Sequence, residues 1–259
     1  MATERYAVPV DDLELERVRL ALLGATRDPH TFAALDRVGI GPGWHCLEVG
    51  AGAGTVTAWL ADRVGTTGLV VATDLDLSNH APPAANVTLL QHDIVHDPIP
   101  AAPFDLVHAR AVLQHIPERE AVLDTLVAAV RAGGILVIEE SDFRAFVAQP
   151  LPEPYASVHA LMNSTEFTPW REPDFGTRLV SLLTERGLAA VDVVGDSWAM
   201  RPGDPGGDWW FLAVERALRS LVGAGVVDDA AAAEVRATIV DPDFVMLGPL
   251  SLTVTARRP

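Results

Sequence analysis

The sequence contains no lysine: all 19 of its basic residues are arginine. Two chemistries are thereby excluded. No P-loop lysine can reach a nucleotide phosphate, and no lysine amine can form a Schiff base with a carbonyl substrate. Cysteine is nearly absent too. Cys46 stands alone, which rules out an intramolecular disulfide, and its place in the apolar run 44–49 marks a core residue rather than a nucleophile. No apolar run reaches the roughly 20 residues of a membrane-spanning helix. The opening residues MATERYAVPVDDLELERVRL are acidic and lack the apolar centre of a secretory signal. The expectation is a soluble, cytoplasmic protein with no membrane partner. The eight histidines show no HxH or HExxH pattern and no clustering with carboxylates, so no metal is expected.

Positive charge is scarce overall. The formal net charge of −16 repels phosphate backbones, so no nucleic-acid partner is expected. The 259 residues suffice for one large domain or a domain with a cap, and the 49% apolar fraction can build a sizeable core.

What is present centres on Leu47-Glu48-Val49-Gly50-Ala51-Gly52-Ala53-Gly54. It follows a short apolar run and opens an amphipathic segment. Alternating glycines let a strand-to-helix turn approach a ligand where a Cβ would clash, and the helix start offers free N–H groups. A second acidic position, Asp74, ends the next apolar run. This pattern describes a nucleoside-bearing cofactor across the carboxyl ends of parallel strands. The dinucleotide fingerprint G-x-G-x-x-G would need glycine at position 55, which is threonine. Glu48, just before the glycines, would also repel a pyrophosphate. A cofactor with an amino-acid tail fits better.

Along the chain, strand-length apolar runs alternate with helix-period segments, the signature of an α/β fold with a mostly parallel sheet. The pattern predicts helices at 11–24 and 29–38, a strand at 44–49, a helix at 54–64 and a strand at 69–73. Short strands follow at 87–90 and 104–108. A helix starts near Pro117, and Arg131–Gly134 reads as a stop and turn before a strand at 135–138. Residues 143–173 are Pro-rich and aromatic, which suits an insertion. Later come a helix at 174–186, a strand at 188–198, two helices capped by Asp208 and Asp228, and a final strand at 244–255. The domain reading is a core over 1–142, a cap at 143–173, and 174–259 completing the same domain.

The glycine stretch resembles motif I of the class I S-adenosylmethionine-dependent methyltransferases, of the small-molecule, UbiE-like type. Four more places match in order: Val70–Leu75, Gln91–Ile94, Phe104–Arg110 and Arg131–Ile138. The resemblance implies a Rossmann-like sheet of seven strands, mostly parallel, with helices on both faces and a helical cap. It implies S-adenosylmethionine as cofactor. Glu48 with Gly50, Ala51, Gly52 and Gly54 would hold the amino-acid tail. Asp74 would accept both ribose hydroxyls, with Asp76 a nearby rival, and Leu75 would pack on adenine. Asp93 would accept from the adenine amino group and the Ile94 N–H would reach the ring. Arg110 is a candidate for the tail carboxylate.

Methyl transfer is an in-line displacement, so alignment and exclusion of water matter more than any one catalytic group. A base is needed only where the acceptor carries a proton. His115, after the strand at 104–108, is the candidate base, because an unperturbed histidine titrates near neutral pH. His108 reads as a core residue and Asp105 as structural. Glu139, Glu140 and Asp142 end a strand beside the acceptor pocket. Phe146, Tyr155, Phe167, Trp170, Trp198, Trp209 and Trp210 are candidate pocket walls, and Tyr6 a candidate lid. The expected function is methyl transfer to a small, partly apolar organic molecule, as in natural-product tailoring. A protein methyltransferase and a cyclising or isomerising protein that holds the cofactor structurally are the alternatives. The assembly stays open, with a homodimer among its forms.

Overall fold

Strands β1 (His45–Val49), β2 (Leu69–Asp74) and β4 (Phe104–Arg110) are short apolar runs buried along nearly their whole length. A strand covered on both faces needs such a run, and only a parallel sheet flanked by helices provides that cover. With β3 (Val87–Gln91), β5 (Val130–Asp142), β6 (Ala189–Asp196) and β9 (Leu250–Arg257) they form a seven-stranded sheet of order β3-β2-β1-β4-β5-β9-β6. β9 alone runs antiparallel to its neighbours. The chain turns opposite ways from β1 and β4, which are adjacent, so the ligand crevice opens between their carboxyl ends. The structure, a computed structural model, describes residues 13–100, 103–164 and 166–259. The candidate lid Tyr6 lies outside the described residues.

Helices cover both faces. α1 (Leu13–Val38) and α2 (Thr55–Val64) lie on one, where Leu35, Val56, Leu60 and Val64 are fully or almost fully buried. α3 (Arg119–Ala129) and α6 (Phe175–Glu185) cover the other with Val122, Leu123, Leu126, Phe175 and Leu179. These spacings of three and four place each set on one helix face.

A second apolar centre lies above the sheet's carboxyl edge. It joins α4 (Arg144–Ala148) and α5 (Tyr155–Met162) to α7 (Pro205–Gly223) and α8 (Asp229–Val240), beside the short pair β7 (Ala199–Met200) and β8 (Met246–Leu247). Phe146 sits at its centre, edge-on to Trp210 at 4.9 Å and to His159 at 4.6 Å. Tyr155 Oη accepts from Trp210 Nε1 at 2.9 Å and donates to Met246 Sδ at 3.2 Å. The cap's apolar centre draws on residues of 143–162 and of a second segment, 198–246, whose amphipathic α7 packs against α1.

Four local expectations differ. The two N-terminal helices are one, running through Pro29. Proline removes one helical hydrogen bond at about 3 kcal/mol, and ion pairs from Arg27 to Asp196 and from Arg110 to Asp28 hold the turn just before it. The turn at 131–134 is a bulge within β5: Phe104 pairs with Val130 but Leu106 with Ile135. Asp208 does not cap α7. The cap position is Asp204, followed by Pro205, and Asp208 accepts from the Gly203 N–H at 2.9 Å from within the first turn. Asp228 does cap α8, accepting from the Ala231 N–H at 2.7 Å. The final strand is split into β8 and β9 around Gly248-Pro249.

Candidate active site

The carboxyl ends of β1, β2, β4 and β5 open into one cavity of about 690 Å³, roofed by α1 and by the indoles of Trp198, Trp209 and Trp210. That volume is in the range of small-molecule and cofactor sites. Its floor is the glycine turn. Gly50 has φ +73°, and a Cβ there would collide with Val112 Cγ2. Gly54, φ +83°, precedes α2 with the His80 ring 2.6 Å from the place of a Cβ. The turn is tied to the next strand: Gly50 and Ala51 N–H groups reach Thr73 O, and the Gly52 N–H donates to Asp74 Oδ2 at 2.8 Å.

Of the residues the sequence nominates, Gly50, Ala51, Gly52, Asp74, Leu75, Asp93, Ile94, Arg110 and His115 line this one cavity. Asp74 is half-enclosed, and burial pushes its carboxyl above the usual range. Asp76 is also on the wall, with its carboxylate turned to Ser78. Asp93 Oδ1 accepts from the Val95 N–H at 2.9 Å, which fixes the turn after β3. Glu48 and Gly54 stand behind the wall rather than on it. Glu48 is buried under the glycine turn and accepts from Thr57 Oγ1 of α2 at 2.5 Å, and burial raises its carboxyl. Its placement supports the turn from below.

Arg110 donates to Thr31 Oγ1 and pairs with Asp28 Oδ1, both at 2.9 Å, so α1 fixes its guanidinium at the cavity edge. Glu139 lies beside it across the β4–β5 register. Its carboxylate accepts from His108 Nε2 at 3.0 Å, Thr31 Oγ1 at 3.0 Å and Thr253 Oγ1 at 3.3 Å. Burial opposes its ionisation, but His108 and the nearby arginines outweigh it and hold the carboxyl below its usual range. Glu140, its sequence neighbour, faces the opposite way. Its Oε1 accepts from the N–H groups of Val112 at 3.0 Å and Leu113 at 2.7 Å. Burial pushes its pKa up to about 8. Two adjacent carboxyls thus hold different protonation states at neutral pH, because one meets cations and hydroxyls and the other mainly backbone.

β4 ends at Ala111, whose φ of +53° turns the chain sharply and lays Val112 over Gly50. The short 3₁₀ turn Leu113–His115 then carries Gln114 and His115 to the cavity. Burial, with Arg171, Arg19 and Arg119 nearby, pushes His115 down to about 3. Its imidazole is neutral at physiological pH and holds a proton poorly.

Other candidates fall elsewhere. Asp142 is tied to Arg144 and Thr177 and is not on the cavity wall. Asp105 joins β4 to β1 and β5 through the His45 N–H and Arg131. Phe146 and Tyr155 belong to the cap's apolar centre, and Phe167 and Trp170 are exposed. The sequence reading missed Arg19, Arg27, Gln114 and Arg171 on the wall. Arg19 and Arg27 carry a signal that could have found them. They stand eight residues apart in α1, about two helical turns, and so point to the same side of it.

A methyltransferase-domain family model matches residues 47–138. A curated relative, "Methyltransferase str3" of Strobilurus tenacellus, is 30% identical over 193 residues, covering 73% of this chain and 68% of its own. An "O-methyltransferase" of Pyrenophora dematioidea is 27% identical, over 75% of this chain and 68% of that one. Among solved structures, phosphoethanolamine N-methyltransferase 2 of Haemonchus contortus superposes with a TM-score of 0.54 at 14% identity, over 89% of this chain and 52% of that one. The [4+2]-cyclase SpnF superposes with a TM-score of 0.51 at 17% identity, over 90% and 80%; both are likenesses of fold. The seven-stranded, mostly parallel sheet agrees with these likenesses of fold, and by its sequence matches the chain belongs to the class I S-adenosylmethionine-dependent methyltransferases.

Proposed function

We propose that this methyltransferase acts on a small, partly apolar organic molecule in a natural-product tailoring step. The observation that carries the reading is the lining of the cavity. The glycine turn and acidic strand ends of its cofactor side and the indoles of Trp198, Trp209 and Trp210 share one space of about 690 Å³, the size of a cofactor with a small acceptor. The second of the two relatives, by its name, supports transfer to oxygen.

The residues present fit the cofactor. Gly50 lets the turn lie close under Val112, where a Cβ would collide, and Asp74 keeps lone pairs for ribose hydroxyls beside the one that holds Gly52. We place the amino-acid tail over Gly50, Ala51 and Gly52, with Glu48 and Gly54 supporting the turn and Arg110 meeting the carboxylate. Asp74 and Leu75 take the ribose and adenine face, and Asp93 and Ile94 the adenine edge. Bound S-adenosylmethionine supplies a methyl group made electrophilic by its sulfonium. Trp198, Trp209 and Trp210 exclude water and orient the acceptor for in-line approach. Neutral His115 accepts a hydrogen bond from the acceptor's X–H group and aligns it. The proton then leaves to solvent, because a group with a pKa near 3 does not retain it.

Labelled S-adenosylmethionine incubated with a panel of hydroxylated aromatic and polyketide-like compounds tests the reading. It should give methylated product and S-adenosylhomocysteine in equal amounts. Conversion of a substrate with the cofactor left intact would move the protein to the cyclising alternative.

A further inference from the structure

A smaller cavity of about 260 Å³ adjoins the main one and shares Glu16, Arg19, Arg171, Trp210 and Ala213 with it. It lies between α1, α7 and the segment after α5. Its walls are apolar at Leu15, Met162 and Phe167, yet three arginines open onto it: Arg19, Arg171 and Arg216. Arg19 is paired with Glu16, donating to it at 2.8 and 2.5 Å. Arg171 donates to Asn163 Oδ1 at 2.7 Å and lies over the Phe143 ring at 4.6 Å. The Arg216 side chain is half-buried and makes no hydrogen bond or ion pair among the described residues.

A guanidinium drawn partly out of water beside apolar walls loses hydration that a counter-charge would replace. Its planar fork matches a carboxylate or phosphate with two parallel hydrogen bonds. The setting sharpens the choice. The chain carries a net charge of −16, so most of its surface repels anions, and a positive recess in such a surface focuses them. The apolar walls require that the anion arrive on an apolar stem.

We propose that the smaller cavity holds the anionic end of the methyl acceptor, an amphipathic organic acid whose carboxylate or phosphate lies against Arg216, Arg171 and Arg19 while its apolar stem passes Trp210 toward the cofactor. The assignment of the stem's far end rests on the proposed function; the anion subsite stands on its own residues.

Calorimetric titration of the full chain saturated with S-adenosylhomocysteine decides the matter, with 4-phenylbutyrate, 3-phenylpropyl phosphate and 4-phenylbutyramide as probes. A charge-assisted pair predicts that the better of the two anions binds about tenfold or more tighter than the amide. The order of the two anions identifies the headgroup. Arg216→Gln should bring acid and amide to within about threefold while S-adenosylhomocysteine affinity and melting temperature stay at wild-type values. Equal binding of anion and amide, no binding of any probe, or an anion preference untouched by Arg216→Gln would each overturn the proposal. If S-adenosylhomocysteine itself fails to bind, the proposed function falls, and the same comparison on the ligand-free protein still decides the subsite.

Discussion

Replacing Glu140 by glutamine should change how the stability of the protein depends on pH. Glu140 is 2% exposed, its Oε1 holds the N–H groups of Val112 and Leu113, and its Oε2 is buried with no partner among the described residues. Burial raises its pKa from the ordinary 4.5 to about 8, against the pull of the Leu113, Val112 and Gln114 N–H groups and Arg119. A carboxyl with a raised native pKa leaves stability unaffected below pH 4.5, where folded and unfolded chains both hold the proton. Between pH 4.5 and about 8 the unfolded chain releases it and the native one does not, so stability falls as pH rises. The loss is about 1.4 kcal/mol per pH unit and accumulates to about 4 kcal/mol between pH 5 and pH 9. Glutamine accepts the same two N–H bonds through its carbonyl and does not titrate. Urea unfolding followed by tryptophan fluorescence at several pH values should therefore show the variant gaining on wild type by about 4 kcal/mol across that interval. Curves that stay parallel within about 1 kcal/mol would refute the protonated Glu140 and the clamp it places on the Val112–His115 turn.

Three further outcomes follow from the same geometry. Gly50→Ala puts a Cβ against Val112 Cγ2 at φ +73°, and should weaken S-adenosylhomocysteine binding by at least about tenfold and cost about 1–3 kcal/mol in unfolding free energy, measured by titration and denaturation. His115→Gln should lower kcat without moving the pH–rate profile between about pH 5.5 and 8, because the imidazole is already neutral there; a wild-type limb near pH 6.5 that the variant abolishes would contradict the depressed pKa. Phe146→Ala removes a fully buried ring from the cap's apolar centre and should cost about 3–5 kcal/mol by differential scanning, while leaving S-adenosylhomocysteine affinity near wild type.

Much of the cofactor half was legible because its groups sit at strand ends that apolar runs announce. Gly50, Gly52, Asp74, Asp93 and Arg110 each end such a run or follow it within three residues, and the parallel sheet then brings those ends together. Glu48 was legible as a position but not as a contact. Its partner Thr57 is one turn into α2, and the hydrogen bond depends on how that helix seats on the sheet. The acceptor half was less readable for the same kind of reason. Trp209 reaches it from α7, Arg19 and Arg27 from α1, and Arg171 from the segment after α5, elements whose mutual packing no local pattern specifies. Local rules misjudged Pro29 and Asp208, since ion pairs at a distance override the proline at one and the preceding Asp204-Pro205 starts the helix at the other. Glu139 and Glu140 make the point most sharply. They are identical and adjacent in sequence, and only their surroundings set one charged and the other protonated at neutral pH.

Calorimetric titration with S-adenosylhomocysteine, of wild type and of Asp74→Ala, tests the central claim most directly. Asp74 holds the glycine turn through Gly52 and faces the cavity where the ribose would lie. The account predicts one site of roughly micromolar affinity in the wild type, and binding at least about tenfold weaker in the folded variant. No binding by folded wild-type protein, or equal affinity in the two, would contradict it.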